Sequence, residues 1–147
     1  MMESIYAAKT SVPVDRSQGE IRKILSKYGG TSFAFAESNG RAMIMFELKG
    51  RRIIFKLPLP NPPSSNATQV SIKNYDQLCR SKWRALVLGI KAKLECVNSG
   101  ITTLEQEFLA HIVLPNGAVI GEVMIPQIQR AYDTGDMPPL LGQGFSD

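Results

Sequence analysis

Two glycine-containing turns divide the chain between residues 30 and 58 into three short β-prone segments, and this feature restricts the fold more than any other. The segments are Thr31–Glu37, Arg41–Leu48 and Arg51–Leu57, separated by Asn39-Gly40 and by Lys49-Gly50. Asn-Gly between β-prone runs is a strong signal for a hairpin, because both central residues adopt positive φ readily. The sequence therefore predicts a three-stranded antiparallel meander.

Alternation of apolar and polar residues indicates that the meander is buried on one face. Apolar residues recur at every second position of the second segment, and the third segment continues the pattern. Pro58 and Pro60 lack the N–H that a strand needs, so the sheet is expected to end there. Residues 58–72 are predicted to form an extended Pro/Ser-rich connection. The predicted inward-facing residues are Ala42, Ile44, Phe46, Leu48, Ile53, Phe55 and Leu57.

Helix signals flank the meander on both sides. Before it, Ser17 and Glu20 match the capping-box pattern ahead of an apolar stripe, and Gly29-Gly30 ends the helix. After it, a long helix is predicted from Asn74 to Val97, since seven apolar residues between Cys79 and Val97 fall within one sector of about 100°. Thr102-Thr103 then cap a shorter helix with an apolar face of its own.

The segment after this short helix has two interpretations. His111–Leu114 and Ala118–Ile125 form either helices or a hairpin across Asn116-Gly117, and we favour helices. Pro126 would then occupy the first turn of a final helix that ends near Gly135.

These segments predict an α+β fold in the order α-β-β-β-α, with additional C-terminal helices. Helices are expected to pack on one face of the three-stranded antiparallel meander. We expect residues 1–147 to form a single domain, since this length suits one hydrophobic core. Residues 1–14 are predicted to be an N-terminal arm and residues 136–147 a C-terminal tail, because neither shows a periodic pattern.

No segment indicates a membrane or an export pathway. The longest apolar run, Ala85–Ile90, is far shorter than the about 18 residues of a membrane span, and the N-terminus does not resemble a signal peptide. Cys79 and Cys96 lie on one predicted helix, roughly 25 Å apart, which is too far for a disulfide. Reduced thiols predict a cytoplasmic protein, and no membrane partner is expected.

The formal net charge of +4 conceals an uneven distribution. Residues 1–72 hold ten basic and five acidic side chains, and residues 73–98 hold six basic and two acidic ones. Residues 99–147 hold one basic side chain, Arg130, and six acidic ones. The chain therefore carries +9 up to residue 98 and −5 after it.

Two clusters of basic residues are candidate contacts for phosphate groups. Four cations on the long helix are spaced by 7, 4 and 7 positions and project within about 40° of one another. A second cluster occupies the predicted hairpin tip, where side chains extend well away from the scaffold. The alternative is that these cations cover the edge of the core or pair with the acidic C-terminal third. The candidate nucleic-acid-binding residues are Lys73, Arg80, Arg84 and Lys91 on the helix and Lys49, Arg51 and Arg52 at the tip.

The sequence offers no arrangement of residues typical of an enzyme. His111 is the only histidine, and together with Glu107 it supplies fewer ligands than a metal site needs. Sequence motifs for zinc, redox, acyl-transfer or phosphate-loop chemistry are absent. Trp83 lies between two cations and would stack on a base if exposed, yet its place on the apolar stripe favours the core. We therefore predict a non-enzymatic protein with no catalytic residue, no metal and no cofactor.

Three stretches carry a resemblance to known proteins: WRALVLGIKAKLE at 83–95, EFLAHIVLPNG at 107–117 and MPPLL at 137–141. They resemble a family of small uncharacterised proteins encoded by tailed phages and prophages. The resemblance implies a setting in the bacterial cytoplasm and transfers no catalytic residue. Separately, the order α-β-β-β-α is similar to that of the double-stranded-RNA-binding domain, whose Lys-Lys-x-Ala-Lys run is absent here.

These observations lead to three functional hypotheses. The first is a phage-type accessory protein that binds the phosphate backbone of nucleic acid without catalysis. The second is a protein-interaction module that inhibits or adapts a host enzyme, such as one of a defence system. The third is a protein that binds small anionic nucleotides. A homodimer seated on the apolar C-terminal segments is compatible with each of them.

Overall fold

The computed structural model describes residues 7–38, 40–137, 139 and 140, and its α+β fold confirms the predicted order. A helix precedes a three-stranded antiparallel meander, and further helices follow it. A 3₁₀ turn at Leu109–His111 and a short fourth strand were not part of the prediction. The elements are α1 (Val14–Lys27), β1 (Thr31–Ser38), β2 (Arg41–Leu48), β3 (Arg51–Pro58), α2 (Gln69–Asn98), α3 (Leu104–Phe108), β4 (Ile112–Val113) and α4 (Ile120–Thr134).

The sheet has the strand order β1-β2-β3-β4 and is antiparallel throughout. Lys49 and Gly50 both have positive φ, 50° and 75°, which is the backbone geometry that a two-residue hairpin turn requires. Gly40 also has positive φ, whereas Asn39 lies outside the described residues. The pairing of Ser38 with Arg41 confirms the predicted first hairpin.

One hydrophobic core joins the helices to a single face of the sheet. The inward side chains of β2 and β3 pack below α1 and α2, as the alternating pattern predicts. Phe35 of β1 contacts Trp83 of α2 with 6.4 Å between ring centroids. Trp83 is only 2% exposed, so the structure supports its placement in the core.

The first helix begins earlier than its capping-box pattern indicates. α1 starts at Val14 after Pro13, and no side chain caps its N-terminus. Ser17 lies inside the helix and is fully buried, so the predicted capping box with Glu20 is wrong. Before the helix, residues 7–9 form a turn, while residues 1–6 of the predicted arm lie outside the described residues.

The long helix α2 also begins earlier, within the predicted 58–72 connection. Thr68 caps it by accepting a hydrogen bond from the backbone N–H of Ser71 at 3.2 Å. The helix therefore begins at Gln69, about one turn before the predicted start at Asn74, whereas the apolar stripe on which the prediction rested begins only at Cys79. Its predicted end near Val97 agrees with the structure to within one residue.

The preferred helical interpretation of 111–114 is wrong, and the hairpin alternative describes this segment better. Ile112 and Val113 form β4, which pairs with β3, and Val113 forms an isolated bridge with Val119. α4 begins at Ile120, so Pro126 lies inside the helix rather than in its first turn. The left-handed cap at Gly135 confirms the predicted end. Within the predicted tail, residues 138 and 141–147 lie outside the described residues.

Candidate nucleic-acid interface

The four candidate cations of α2 lie along the edge of the helix that faces α1. Lys73 and Lys91, near the two ends of this row, are exposed, whereas Arg80 and Arg84 are partly buried between them. Arg84 Nη1 donates to Glu20 Oε2 at 2.8 Å, and Arg80 Nη2 donates to Gln77 Oε1 at 2.6 Å. Arg84 therefore contacts α1, whereas Arg80 is held by a neighbour on α2 itself.

Pairing with Glu20 offsets the charge of Arg84. The hydrogen bond and the positive charge of this guanidinium lower the pKa of Glu20, so the carboxylate stays ionised beside it at neutral pH. Only 15% of the Arg84 side chain and 31% of the Glu20 side chain are exposed. Arg84 thus joins α1 to α2, and less of its charge is available to a ligand.

Helix α1 contributes cations that sequence reasoning missed. Gln77 of α2 donates to the carbonyl oxygens of Ala8 and Thr10, just before α1, while Arg84 contacts Glu20 further along both helices. The two helices therefore run in the same direction, side by side.

Three exposed cations of α1 share a stripe with Glu20. Arg16, Lys23 and Lys27 are spaced by 7 and 4 positions, and together with Glu20 they fall within about 60° around the helix. The charges of Arg16 and Lys91 both act on the Glu20 carboxylate. The same 7-and-4 spacing that identified the stripe on α2 would have found this one. We call the five cations around Glu20 the cationic surface: Arg16, Lys23, Lys27, Arg84 and Lys91.

The hairpin tip is exposed, but acidic residues lie beside two of its three cations. Arg51 Nε lies 3.8 Å from Glu105 Oε1, with both side chains about half exposed. Arg52 stands opposite Glu47 in the strand register. Lys49, held in the turn itself, has no acidic neighbour of this kind among the contacts that the structure describes.

The two predicted clusters do not form one continuous site. Thr31 pairs with Glu47, so the tip lies at the end of the sheet where α1 finishes. Glu37 lies at the other end of β1, and its charge acts on Cys79, which is in the first half of α2. The beginning of α2 therefore lies at the end of the sheet opposite the hairpin tip. Lys73 and Lys91 are about 27 Å apart along α2. The tip therefore lies at the Lys27 end of the cationic surface, away from Lys73 and Arg80.

The acidic C-terminal third pairs with other cations. Within the described residues its ion pairs join Glu105 to Arg51, Glu122 to Lys56 and Glu107 to Lys93. These partners lie on β3 and on the edge of α2 turned towards α3. In this part of the chain the acidic third therefore leaves the cationic surface uncovered.

His111 and Glu107 do not act as a pair. The His111 ring stacks on Phe55 at 3.9 Å between centroids, and burial lowers the pKa of His111 although a hydrogen bond with the Ile54 backbone acts in the opposite direction. Glu107 instead accepts a hydrogen bond from the Thr102 hydroxyl at 2.9 Å. No group of three or more potential metal ligands occurs among the described residues.

Comparison of the chain with protein-family models, with curated proteins and with solved structures found no match. Over the described ranges, no helix combines the length and the apolar character needed to cross a bilayer.

Proposed function

We propose that this protein binds the phosphate backbone of nucleic acid through the cationic surface, with the hairpin tip as an additional contact, and that it does so without catalysis. We also propose the setting that the sequence resemblance implies, an accessory role for a tailed phage in the bacterial cytoplasm. Both proposals develop the first of the three hypotheses drawn from the sequence. They assign its phosphate contacts to a defined surface.

One observation carries the proposal: two parallel helices present five cations around one carboxylate. Arg16 and Lys27 are about 16 Å apart along α1, and one strand of duplex DNA carries a phosphate every 3.4 Å or so. A row of this length spans about five phosphates of one strand. Four of the five cations are exposed, so they reach phosphate oxygens without rearrangement of the fold.

The same arrangement favours binding that does not depend on base sequence. Contacts from Lys and Arg to phosphate fix position on the nucleic acid but do not distinguish bases. Trp83, the residue best suited to stacking on a base, is buried in the core. We therefore expect similar affinities for unrelated sequences and a strong dependence on salt.

The proposal is tested by fluorescence anisotropy with short labelled DNA and RNA, single- and double-stranded, over a series of salt concentrations. The double variant Lys23→Glu/Lys27→Glu should bind at least about tenfold more weakly, and its salt slope should fall by about two phosphate contacts. Arg41→Glu/Arg130→Glu is the matched control, because it changes the net charge equally at exposed positions outside the cationic surface.

Two results would overturn the proposal. Wild-type protein that retains none of the four nucleic acids at low salt excludes phosphate-backbone binding. Equal weakening by the control variant would show that net charge matters and the surface does not. A further variant, Lys49→Glu/Arg52→Glu, separates the contribution of the tip from that of the helices.

The protein-interaction hypothesis has one observation in its favour, a group of exposed apolar side chains on and beside α4. A protein partner that is retained in stoichiometric amount from nuclease-treated bacterial lysate would support it over nucleic-acid binding.

A further inference from the structure

The cationic surface extends in two dimensions, because its two helices place charges level with one another. Glu20 of α1 contacts Arg84 of α2, and the two helices run in the same direction. Lys27 follows Glu20 by seven residues and Lys91 follows Arg84 by seven, so both lie about 10 Å beyond the ion pair. The surface therefore carries its charges in two rows, one on each helix.

The same correspondence holds on the other side of the ion pair. Arg16 of the cationic surface and Arg80 beside it each precede the ion pair by four residues, so both lie about 6 Å before it. Arg80 is partly buried, but its partner Gln77 is neutral, so this hydrogen bond does not offset its charge. Each helix therefore contributes cations both before and after the ion pair.

Two rows of cations match the phosphates of a duplex better than those of a single strand. Packed helices lie about 8–10 Å apart. Duplex DNA has phosphates on both sides of grooves that are about 6 and 12 Å wide, so two rows at this spacing reach the phosphates of both strands. A single strand has one line of phosphates, and it can follow only one of the two rows.

Sites for single strands combine cations with aromatic side chains on which the bases stack. Among the described aromatic residues only Tyr132 is exposed, and it lies on α4, at the opposite edge of the sheet from α1. Tyr28, at the end of α1, packs against the core. Phe33 and Phe35 of β1 are half-buried, and the guanidinium of Arg22 lies over both rings, 5.5 and 5.7 Å from their centroids. The described part of the cationic surface therefore offers a base no ring to stack on.

Without stacking, electrostatics decides between a duplex and a single strand. The logarithm of affinity falls with the logarithm of salt concentration by about 0.9 per phosphate contact on B-DNA and by about 0.7 on a single strand. The four exposed cations, Arg16, Lys23, Lys27 and Lys91, then give slopes of about 3.6 and 2.8. If the two ligands bind equally at about 1 M salt, the duplex is favoured about sixfold at about 0.1 M.

We propose that the cationic surface selects double-stranded over single-stranded nucleic acid. This inference rests on the proposed function and names the form of the ligand that the same surface favours. Two rows of cations take phosphates from both strands of a duplex. A single strand contacts one row and gains no stacking in return for the order that binding imposes on it.

The test compares a labelled DNA duplex of about 16 base pairs, longer than the cationic surface, with one of its strands, chosen free of self-complementarity. The RNA duplex of the same sequence and its single strand are measured in the same way. Fluorescence anisotropy over a salt series gives the affinities and slopes. The duplex should bind at least about sixfold more tightly at about 0.1 M salt and show the steeper salt dependence.

Gly19→Trp supplies the missing ring. Gly19 is exposed and lies beside Arg16 and Lys23 on α1, and a Cβ there would meet nothing within 4 Å. This variant should bind the single strand at least about fivefold more tightly than wild type, while its affinity for the duplex stays nearly unchanged because paired bases already stack on one another. Gly19→Leu is the matched control, since it replaces the same glycine with an apolar side chain that has no ring.

The possible failures are distinguishable. Wild type that binds the single strand as tightly as the duplex, or more tightly, would overturn this inference and leave the proposed function intact. Retention of none of the four nucleic acids at low salt would overturn both. Equal gains for the single strand by Gly19→Trp and Gly19→Leu would contradict the role assigned to the missing ring.

Discussion

Glu20 and Arg84 join the two helices that form the cationic surface. The ion pair is partly buried, so solvent screens it less than it screens a surface pair. Its stabilising effect depends on the ionised carboxylate, and the charge and hydrogen bond of Arg84 lower the pKa of Glu20 below its ordinary value of 4.5. The pair should therefore stabilise the fold at neutral pH and lose this effect in acid.

Glu20→Gln should lower the free energy of unfolding by up to about 1 kcal/mol at pH 7. The folded-state pKa is lowered, so the contribution is present above pH 4.5 and disappears as the pH falls through the folded-state value. Urea unfolding at several pH values measures the difference between wild type and variant. A difference that persists unchanged in strong acid would contradict this account. Glu95→Gln, at an exposed site of α2, is the control.

For individual residues, the sequence predicts the spacing of side chains along a helix better than it predicts the partners that those side chains contact. The stripe of Lys73, Arg80, Arg84 and Lys91 does lie on one edge of α2, as its spacing indicates. That Arg84 would pair with Glu20 of α1 depends on tertiary packing, which helical periodicity does not contain. Ser17 is a similar case, because a capping-box pattern can also occur inside a helix whose true start lies one turn earlier.

Two glycines in the helices have opposite environments, which allows a matched prediction at the scale of the element. A Cβ at Gly89 of α2 would contact nothing within 4 Å, while a Cβ at Gly121 of α4 would lie 2.6 Å from the carbonyl oxygen of Ala110. The first position has room for a side chain. The second requires glycine because the neighbouring atom belongs to the backbone.

Gly89→Ala should raise the free energy of unfolding by about 0.5–1 kcal/mol, since alanine restricts the unfolded chain and favours helix. Gly121→Ala should lower it by about 1–3 kcal/mol, because α4 must move away from the Leu109–His111 turn. Urea unfolding of dilute protein measures both. Equal effects of the same sign would show that helix propensity alone decides, and would contradict the role assigned to Gly121.

Element boundaries were predictable where local signals are strong and were missed where a distant partner decides. The turns near Gly40 and at Lys49-Gly50 are encoded locally, and β1, β2 and β3 agree with their predicted positions. β4 has only two residues, too few for any alternation, and exists because β3 offers it a free edge. Its neighbour α4 then begins at Ile120, which moves Pro126 into the helix.

Charge and apolar surface are both distributed unevenly over the whole molecule. The basic helices cover one face of the sheet, and the acidic third, which includes β4, lies against β3 and one edge of α2. Segment charges predicted this asymmetry from sequence alone. They did not predict that the acidic third would leave α1 uncovered, because its contacts follow from the pairing of β4. The proposal of nucleic-acid binding depends on this arrangement.

A single cooperative unfolding transition is expected for the whole chain, which tests the prediction of one domain. The buried cluster draws on every layer, from Ile21 of α1 through Phe46 and Trp83 to Ile120 of α4. Phe108 anchors the C-terminal third by edge contacts with Phe46 and Phe55 at 6.3 and 6.1 Å between centroids. Cores that are shared in this way unfold as one unit in small domains.

Trp83 fluorescence reports on the contact between α2 and the sheet, because it is the only tryptophan. Far-ultraviolet circular dichroism reports on all helices, including α4, which lies far from Trp83 in the chain. The two urea transitions should coincide in midpoint and slope. Loss of helical signal before any change in fluorescence would mean that the segment from α3 to α4 unfolds separately. In that case the acidic third would form a second unit, and its contacts with Arg51, Lys56 and Lys93 would be too weak to hold it to the sheet.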